Sequence, residues 1–333
     1  MNATLNRRRF QAALAGAAAA GWLPAWAQSP RLNLGPGGQT LQFIVPFAPG
    51  TTPDLLARLL APHLASATGL NAVAENRPGA SGMLGLSAVN RAAPDGRTLV
   101  LNTNTALTLP LVYKSVPFDV IQGFTPIAML GAVNFVLCAH TSSGFKSVQD
   151  VLAAARRDPG RINYASPGLG TFHHFCMELL AMRTGTRFSH VPYKSAAGAT
   201  TDLLGGHVPL MFLPLHVALP QVRDGKIVVL GAARRTPEPE HPNVRPLAEL
   251  GVPGYEADSW YAVWGPPGMP APMVQALNTE INRLITSDPQ VRAGVLKAGV
   301  DPMPMSPARL LEVANAEVAK WREVAAAAGI RPE

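Results

Sequence analysis

The stretch "INYASPGLGTFHHF", residues 162–175, packs an apolar strand, a glycine-rich turn and the start of a helix into fourteen residues. A strand that runs through a short turn into a helix is the building unit of α/β proteins. The unit recurs in "LQFIVPFAPGTTPDLLARLLAPHL" (41–64), where Thr52 is the expected N-cap, Pro53 the first helical residue and Asp54 an acid in the first turn. It recurs again in "VPYKSAAGATTDLLGG" (191–206), closed by Gly205 and Gly206. "LNAVAENRPG", "RTLVLNTN", "FTPIAMLGAVNFVLCAH", "VPLMFLPL" and "KIVVLGAA" read as further strands. "SGMLGLSAVN" and "SVQDVLAAARRDPG" read as helices, the latter opened by a Ser147–Asp150 capping box. The alternation predicts α/β layers around largely parallel sheet. Residues 234–253 are Pro-rich and polar and read as surface loop. "DSWYAVWGPPGMP" (258–270) then reads as a strand returning to an earlier part of the fold. Two helices finish the chain, and the last places Leu310, Ala314, Val318, Trp321 and Ala325 on one apolar face, a core stripe.

The chemistry of the 162–175 turn narrows by elimination. A dinucleotide fingerprint needs a third glycine where His173 stands, and a Walker loop needs Gly-Lys-Ser/Thr, which is absent. His174 and Glu178 share a helix face, but no third metal ligand accompanies them, and a histidine pairing with a glutamate one turn on accounts for both. No Gly-x-Ser-x-Gly nucleophile elbow occurs, "GASGM" having the serine in the wrong frame; Cys176, inside a helix, is expected to be buried and inert. What remains is an anion grip. A helix N-terminus carries unpaired N–H groups and about half a positive charge, Gly168 and Gly170 let a ligand approach the backbone, and Thr171 adds a hydroxyl. "PFAPGTTPD" (46–54) repeats the construction. Both are equally readable as the ordinary strand-to-helix turns of an α/β protein.

The first twenty-seven residues read as an export signal: a basic start, an Ala/Gly-rich run from Ala12 to Leu23, and Ala25-Trp26-Ala27 before Gln28. Arg7, Arg8 and Phe10 fit the twin-arginine pattern, with a Sec signal carrying an extra arginine as the alternative. Cleavage there predicts a periplasmic mature protein, and losing Arg7, Arg8 and Arg9 reduces the net charge from +7 to +4. The remaining basic residues are scattered, without the clustered Lys/Arg and aromatics of a nucleic-acid surface. Cys138 and Cys176 lack metal or disulfide-framework spacing and are expected as buried free thiols.

Read together, "FIVPFAPGTTPDLLAR", "ENRPGASG", "RAAPDGRTLVL", "INYASPGLGT", "HVPYKSAAGATTDLLGG", "SWYAVWGPPGMPAPMVQALNTEI" and "KWREVAAAAGI" resemble the Bug-type extracytoplasmic solute receptors. These are the substrate-binding proteins of tripartite tricarboxylate transporters, and the similarity spans essentially the whole chain after the signal. The resemblance implies a two-lobed periplasmic-binding-protein fold of type II with a hinge. One lobe combines residues 28–130 with 254–333; the other holds 131–253. It implies capture of a small organic carboxylate between the lobes, partly through backbone amides and waters. The first turn then contributes Phe47, Ala48, Gly50, Thr51, Thr52 and Asp54, and the second Ser166, Gly168, Gly170, Thr171 and His174. Asn102 and Asn104 either line the same cleft or stabilise their loop. No catalysis, cofactor or metal is implied. The expected partners are the acid and either transporter subunits or, alternatively, a signalling protein, with the receptor itself a monomer; a cleft enzyme is the remaining alternative.

Three departures from the family pattern bear on the ligand. Thr51 stands where a second glycine is usual, which strains the turn if φ there is positive. Phe172-His173-His174 replaces a smaller Ser-Ser-His, offering Phe172 to an apolar ligand body. Leu213-Pro214 replaces an Asp-Asn pair, which removes a partner for a ligand ammonium and predicts an acid without an amine.

Overall fold

Strand β1 (Thr40–Val45) ends in Phe43, Ile44 and Val45, all at most 1% exposed, so both of its faces are covered. The computed structural model describes residue 34 and residues 39–237 and 241–332. They lie within the compact unit Leu32–Glu333. The expected export signal, 1–27, lies outside the described residues.

After β1 come α1 (Thr52–Thr68), β2 (Asn71–Asn76), α2 (Met83–Asn90), β3 (Thr98–Thr103), α3 (Thr105–Val112) and β4 (Thr125–Val133). At Asn134 the chain crosses into β5 (Phe135–His140). There follow α4 (Val148–Arg157), β6 (Asn163–Ser166), α5 (Phe172–Thr184), β7 (Ser189–Pro192), α6 (Ala196–Leu204), β8 (Leu210–Pro214), α7 (Leu215–Arg223) and β9 (Ile227–Ala232). It returns through β10 (Ser259–Gly265), then α8 (Ala271–Ser287), α9 (Pro289–Lys297), β11 (Asp301–Pro302) and α10 (Pro307–Ala327).

Among the described residues the strands form two sheets, ordered β11-β4-β10-β3-β1-β2 and β7-β6-β8-β5-β9. The sheets are mixed, which corrects the expectation of largely parallel pairing. β1 pairs parallel with β2 and β3, and β6 with β7 and β8, but β10 runs antiparallel to β3 and β4, and β5 to β8 and β9. The crossings cause this. β5 and β10 enter from the other sheet instead of climbing through a helix, so nothing forces them into the parallel sense.

Helix α10 joins the two halves. Its Leu310 and Ala314 pack with Trp260 and Trp264 of β10, while the fully buried Trp321 sets its ring edge-on to Phe172 and Phe175 of α5 at 5.8 and 5.7 Å. Of the stripe expected on this helix, Val318 is only partly buried and Val324 joins the core. Glu317 ties α10 to the residue before α3, accepting hydrogen bonds from Trp321 Nε1 at 2.6 Å and from Asn104 Nδ2 at 3.1 Å. At the return crossing Arg234 pairs with Asp258 and Asp301. Both cysteines are buried free thiols, and burial pushes each well above the ordinary thiol range. No helix among the described residues is long and apolar enough to cross a membrane.

Candidate functional site

The first turn is built by Asp54. Its carboxylate accepts from the Gly50 amide (2.9 Å), Arg58 Nε (3.0 Å) and Asn76 Nδ2 (2.9 Å), and Asn76 also donates to Phe47 O at 3.1 Å. These donors hold Asp54 below the usual carboxylate range although burial pushes the other way. Thr51, not Thr52, is the N-cap, with φ −75°, so the glycine-to-threonine change carries no left-handed strain. Its hydroxyl donates to Ala48 O at 2.7 Å and closes the turn rather than facing outward. Thr52, 8% exposed, points elsewhere: its Oγ1 lies 3.3 Å from His216 Nε2 on the second lobe.

The second turn rests on stacked aromatic rings. His174 lies parallel to His190 at 4.1 Å, and His190 to Tyr164 at 4.9 Å. His174 Nδ1 accepts the Gly170 amide (3.2 Å), while Ser166 Oγ accepts the Gly168 amide (3.1 Å) and lies 2.6 Å from His190 Nε2. Burial lowers His174 to about 3, helped by His190, and lowers His190 to about 4, so both rings are neutral at pH 7. Glu178, expected to pair with His174, sits 3.8 Å from its Nε2 and takes the Tyr164 hydroxyl at 2.5 Å. Burial raises that carboxyl, so the His174–Glu178 contact is a weak one between desolvated groups and not a strong ion pair. Thr171 is the N-cap of α5, its hydroxyl donating to Gly168 O at 2.8 Å. Gly170 is required: φ is +77°, and a Cβ there would lie 2.6 Å from Val112.

The two turns do not grip each other. Each meets residues of the opposite lobe that the sequence did not single out. Thr108 of α3 donates to Gly170 O at 2.5 Å, Ser81 to Leu169 O at 2.6 Å, and the Phe172 amide donates to Thr105 Oγ1 at 3.3 Å. Ser81 is carried in a left-handed turn, φ +53°, after Ala80 at +46°, a cost of about 1–2 kcal/mol per residue that the contacts must offset. The signal for Ser81 was present in "RPGASG", whose clustered small residues mark an unusual backbone; Thr105, Thr108 and His216 gave none. Of the remaining expected site residues, Asn102 is buried on β3, and Asn104 is engaged by Asp258 O as well as Glu317. Phe172 is 3% exposed and packs on Phe135 and Trp321, so its ring belongs to the core and is not offered to a ligand. Leu213 is likewise buried, inside the second sheet's cluster.

Residues 56–330 match the model of the tripartite tricarboxylate transporter family receptor. This chain belongs to that receptor family. The receptor is 32% identical to Protein BugT of Bordetella pertussis over 293 residues, 87% of this chain and 90% of the relative. A structure of an R. palustris protein with adipate superposes with a TM-score of 0.81 at 34% identity, covering 89% of this chain and 99% of that one. The periplasmic binding protein BugD superposes at 0.80 with 27% identity, over 90% and 100% of the chains. The receptor therefore has the two-lobed periplasmic-binding-protein fold, in a family of solute-binding receptors.

Proposed function

We propose that this receptor works as a periplasmic monomer that captures a small organic carboxylate between its lobes and delivers it to a tripartite tricarboxylate-type transporter, without chemistry of its own. In this reading the lobes are those the resemblance implied, residues 28–130 with 254–333 and residues 131–253, except that the first crossing lies at Asn134, because residues 131–133 still pair with β10. The ligand lies among Thr52, Ser166 to Thr171 and their neighbours. One observation carries the reading. Around the two turns the lobes meet through hydroxyls, backbone groups and one imidazole, from Ser81, Thr105 and Thr108 to the second turn and from Thr52 to His216. Neutral dipoles of this kind suit an anion that must be released again, because parting these contacts separates no opposite charges; the charged contact of Arg234 with Asp258 and Asp301 between the lobes belongs to the return crossing. The adipate bound by the R. palustris neighbour supports the ligand class.

The ligand has no ammonium group. Leu213 faces the core and offers it nothing, and Asp54 is already committed to Gly50, Arg58 and Asn76. A thermal-shift screen of carboxylates followed by calorimetry tests both points. A ligand at one hundred times its Kd adds about 2.7 kcal/mol of stability. Unchanged melting with every acid, or tightest binding of aspartate or glutamate, counts against the reading; turnover of a bound acid favours the enzyme alternative.

A further inference from the structure

The backbone amides expected to hold the ligand are largely committed within the chain. Gly50 N–H is given to Asp54, Thr51 to Ala48 O, Gly168 to Ser166 Oγ, Gly170 to His174, Thr171 to Gly168 O and Phe172 to Thr105. The second lobe nevertheless aims one side chain at Thr52. His216, the second residue of α7, reaches across the seam so that Nε2 lies 3.3 Å from Thr52 Oγ1.

The surroundings of His216 fix what it can offer. Its ring edge rests on Gly299 of the first lobe, so closely that a Cβ there would lie 2.2 Å from Nδ1. Nδ1 is buried without a hydrogen-bond partner. A buried N–H with no acceptor is costly, about 1–3 kcal/mol, whereas a bare imidazole lone pair against a glycine methylene is tolerated better. The proton of the neutral ring therefore sits on Nε2, and Nε2–H is a donor directed at Thr52 Oγ1. Burial keeps the ring neutral by lowering its pKa.

We propose that His216 is the second lobe's side-chain donor to the ligand carboxylate, its Nε2–H passing from Thr52 Oγ1 to a carboxylate oxygen that enters between them. The inference rests on the carboxylate reading above and adds a specific contact to it. Thr52 and His216, one from each lobe, then form a two-point clamp that is complete only when the lobes are closed, which makes His216 a specificity determinant for closure on an acid.

The test uses the full mature protein and the tightest binder from a fixed panel of adipate, malate, succinate and benzoate. Calorimetry compares His216→Leu, His216→Gln and His216→Asn, with circular dichroism confirming that each variant melts cooperatively. Glutamine places an amide N–H near the position of Nε2, and asparagine places it near Nδ1. Loss of a hydrogen bond to a charged group predicts roughly tenfold to hundredfold weaker binding for His216→Leu and His216→Asn. His216→Gln is expected to stay within about threefold of the parent, since it keeps the donor. Equal loss in all three variants shows a packing role and overturns the proposal, as does parent-like affinity in His216→Leu. If the parent binds none of the four acids, the carboxylate reading itself fails for this panel and the inference falls with it, an outcome distinct from the variant comparison.

Discussion

Gly299 has φ +71° and faces His216 at a distance no side chain tolerates, whereas Gly268 has φ +81° with nothing within 4 Å of its would-be Cβ. The pair separates backbone strain from steric conflict. Gly268→Ala should cost about 1–2 kcal/mol, the left-handed penalty alone. Gly299→Ala should cost about 2–4 kcal/mol, because displacing the His216 ring is added. Urea unfolding of both variants checks this, and equal losses would show that the His216 contact gives way freely. The sequence showed glycine at 299 but not its reason, since His216 is brought to it by tertiary folding alone. Thr52 was expected as the N-cap from its place before Pro53, a place that Thr51 takes, and nothing in the sequence showed that its hydroxyl meets a residue 164 positions away. Thr51 is the converse case. Its departure from a glycine pattern suggested strain, yet the backbone is extended there and its hydroxyl ties the turn.

At the scale of elements, helix caps were the most legible feature, because capping is decided within four residues. Ser147 and Asp150 form the expected reciprocal box, with Ser147 Oγ accepting from the Asp150 amide at 3.2 Å and Asp150 accepting from the Ser147 amide at 2.9 Å. Ser147→Ala should cost about 1 kcal/mol of stability by chemical denaturation. Helices α3, α7 and α9 escaped the sequence reading. Pro110 and Pro220 lie inside α3 and α7, and the periodicity of such short segments is hard to distinguish from loop. The N-terminal turn of α5 carries a pH signature. His174, 3% exposed, is held near 3 in the folded protein against an ordinary 6.5, so the unfolded chain binds its proton first as pH falls. The contribution is intact above about pH 6.5 and declines below it, by up to about 1.4 kcal/mol per pH unit. Urea midpoints between pH 7.5 and 4.5 should fall accordingly in the parent, and the fall should be shallower in His174→Gln, which keeps a polar acceptor without the titration. An unchanged slope in the variant would place the effect elsewhere.

For the whole molecule, the decisive quantity is the balance between open and closed lobes. Ser81 and Thr108, on one lobe, give hydroxyl protons to the carbonyls of Leu169 and Gly170 on the other. At about 1 kcal/mol each, removing both should shift the free protein toward the open form by roughly thirtyfold. Distances between fluorophores placed one on each lobe should lengthen in the Ser81→Ala/Thr108→Val double variant. Thr108→Ser in place of Thr108→Val should restore much of the closed population, and an unchanged distance distribution would remove these contacts from the closure equilibrium. The α/β class, the order of most elements and the membership of a receptor family were all determined by the sequence itself, since strand-turn-helix patterns and caps are set by local sterics and hydrogen bonding. The mixed sense of the sheets was not, because strand direction depends on which sheet the chain has just left. Nor was the make-up of the inter-lobe seam. Its hydroxyls, carbonyls and the His216 imidazole come from segments far apart in the chain, and only the packing of one lobe against the other decides which of them meet.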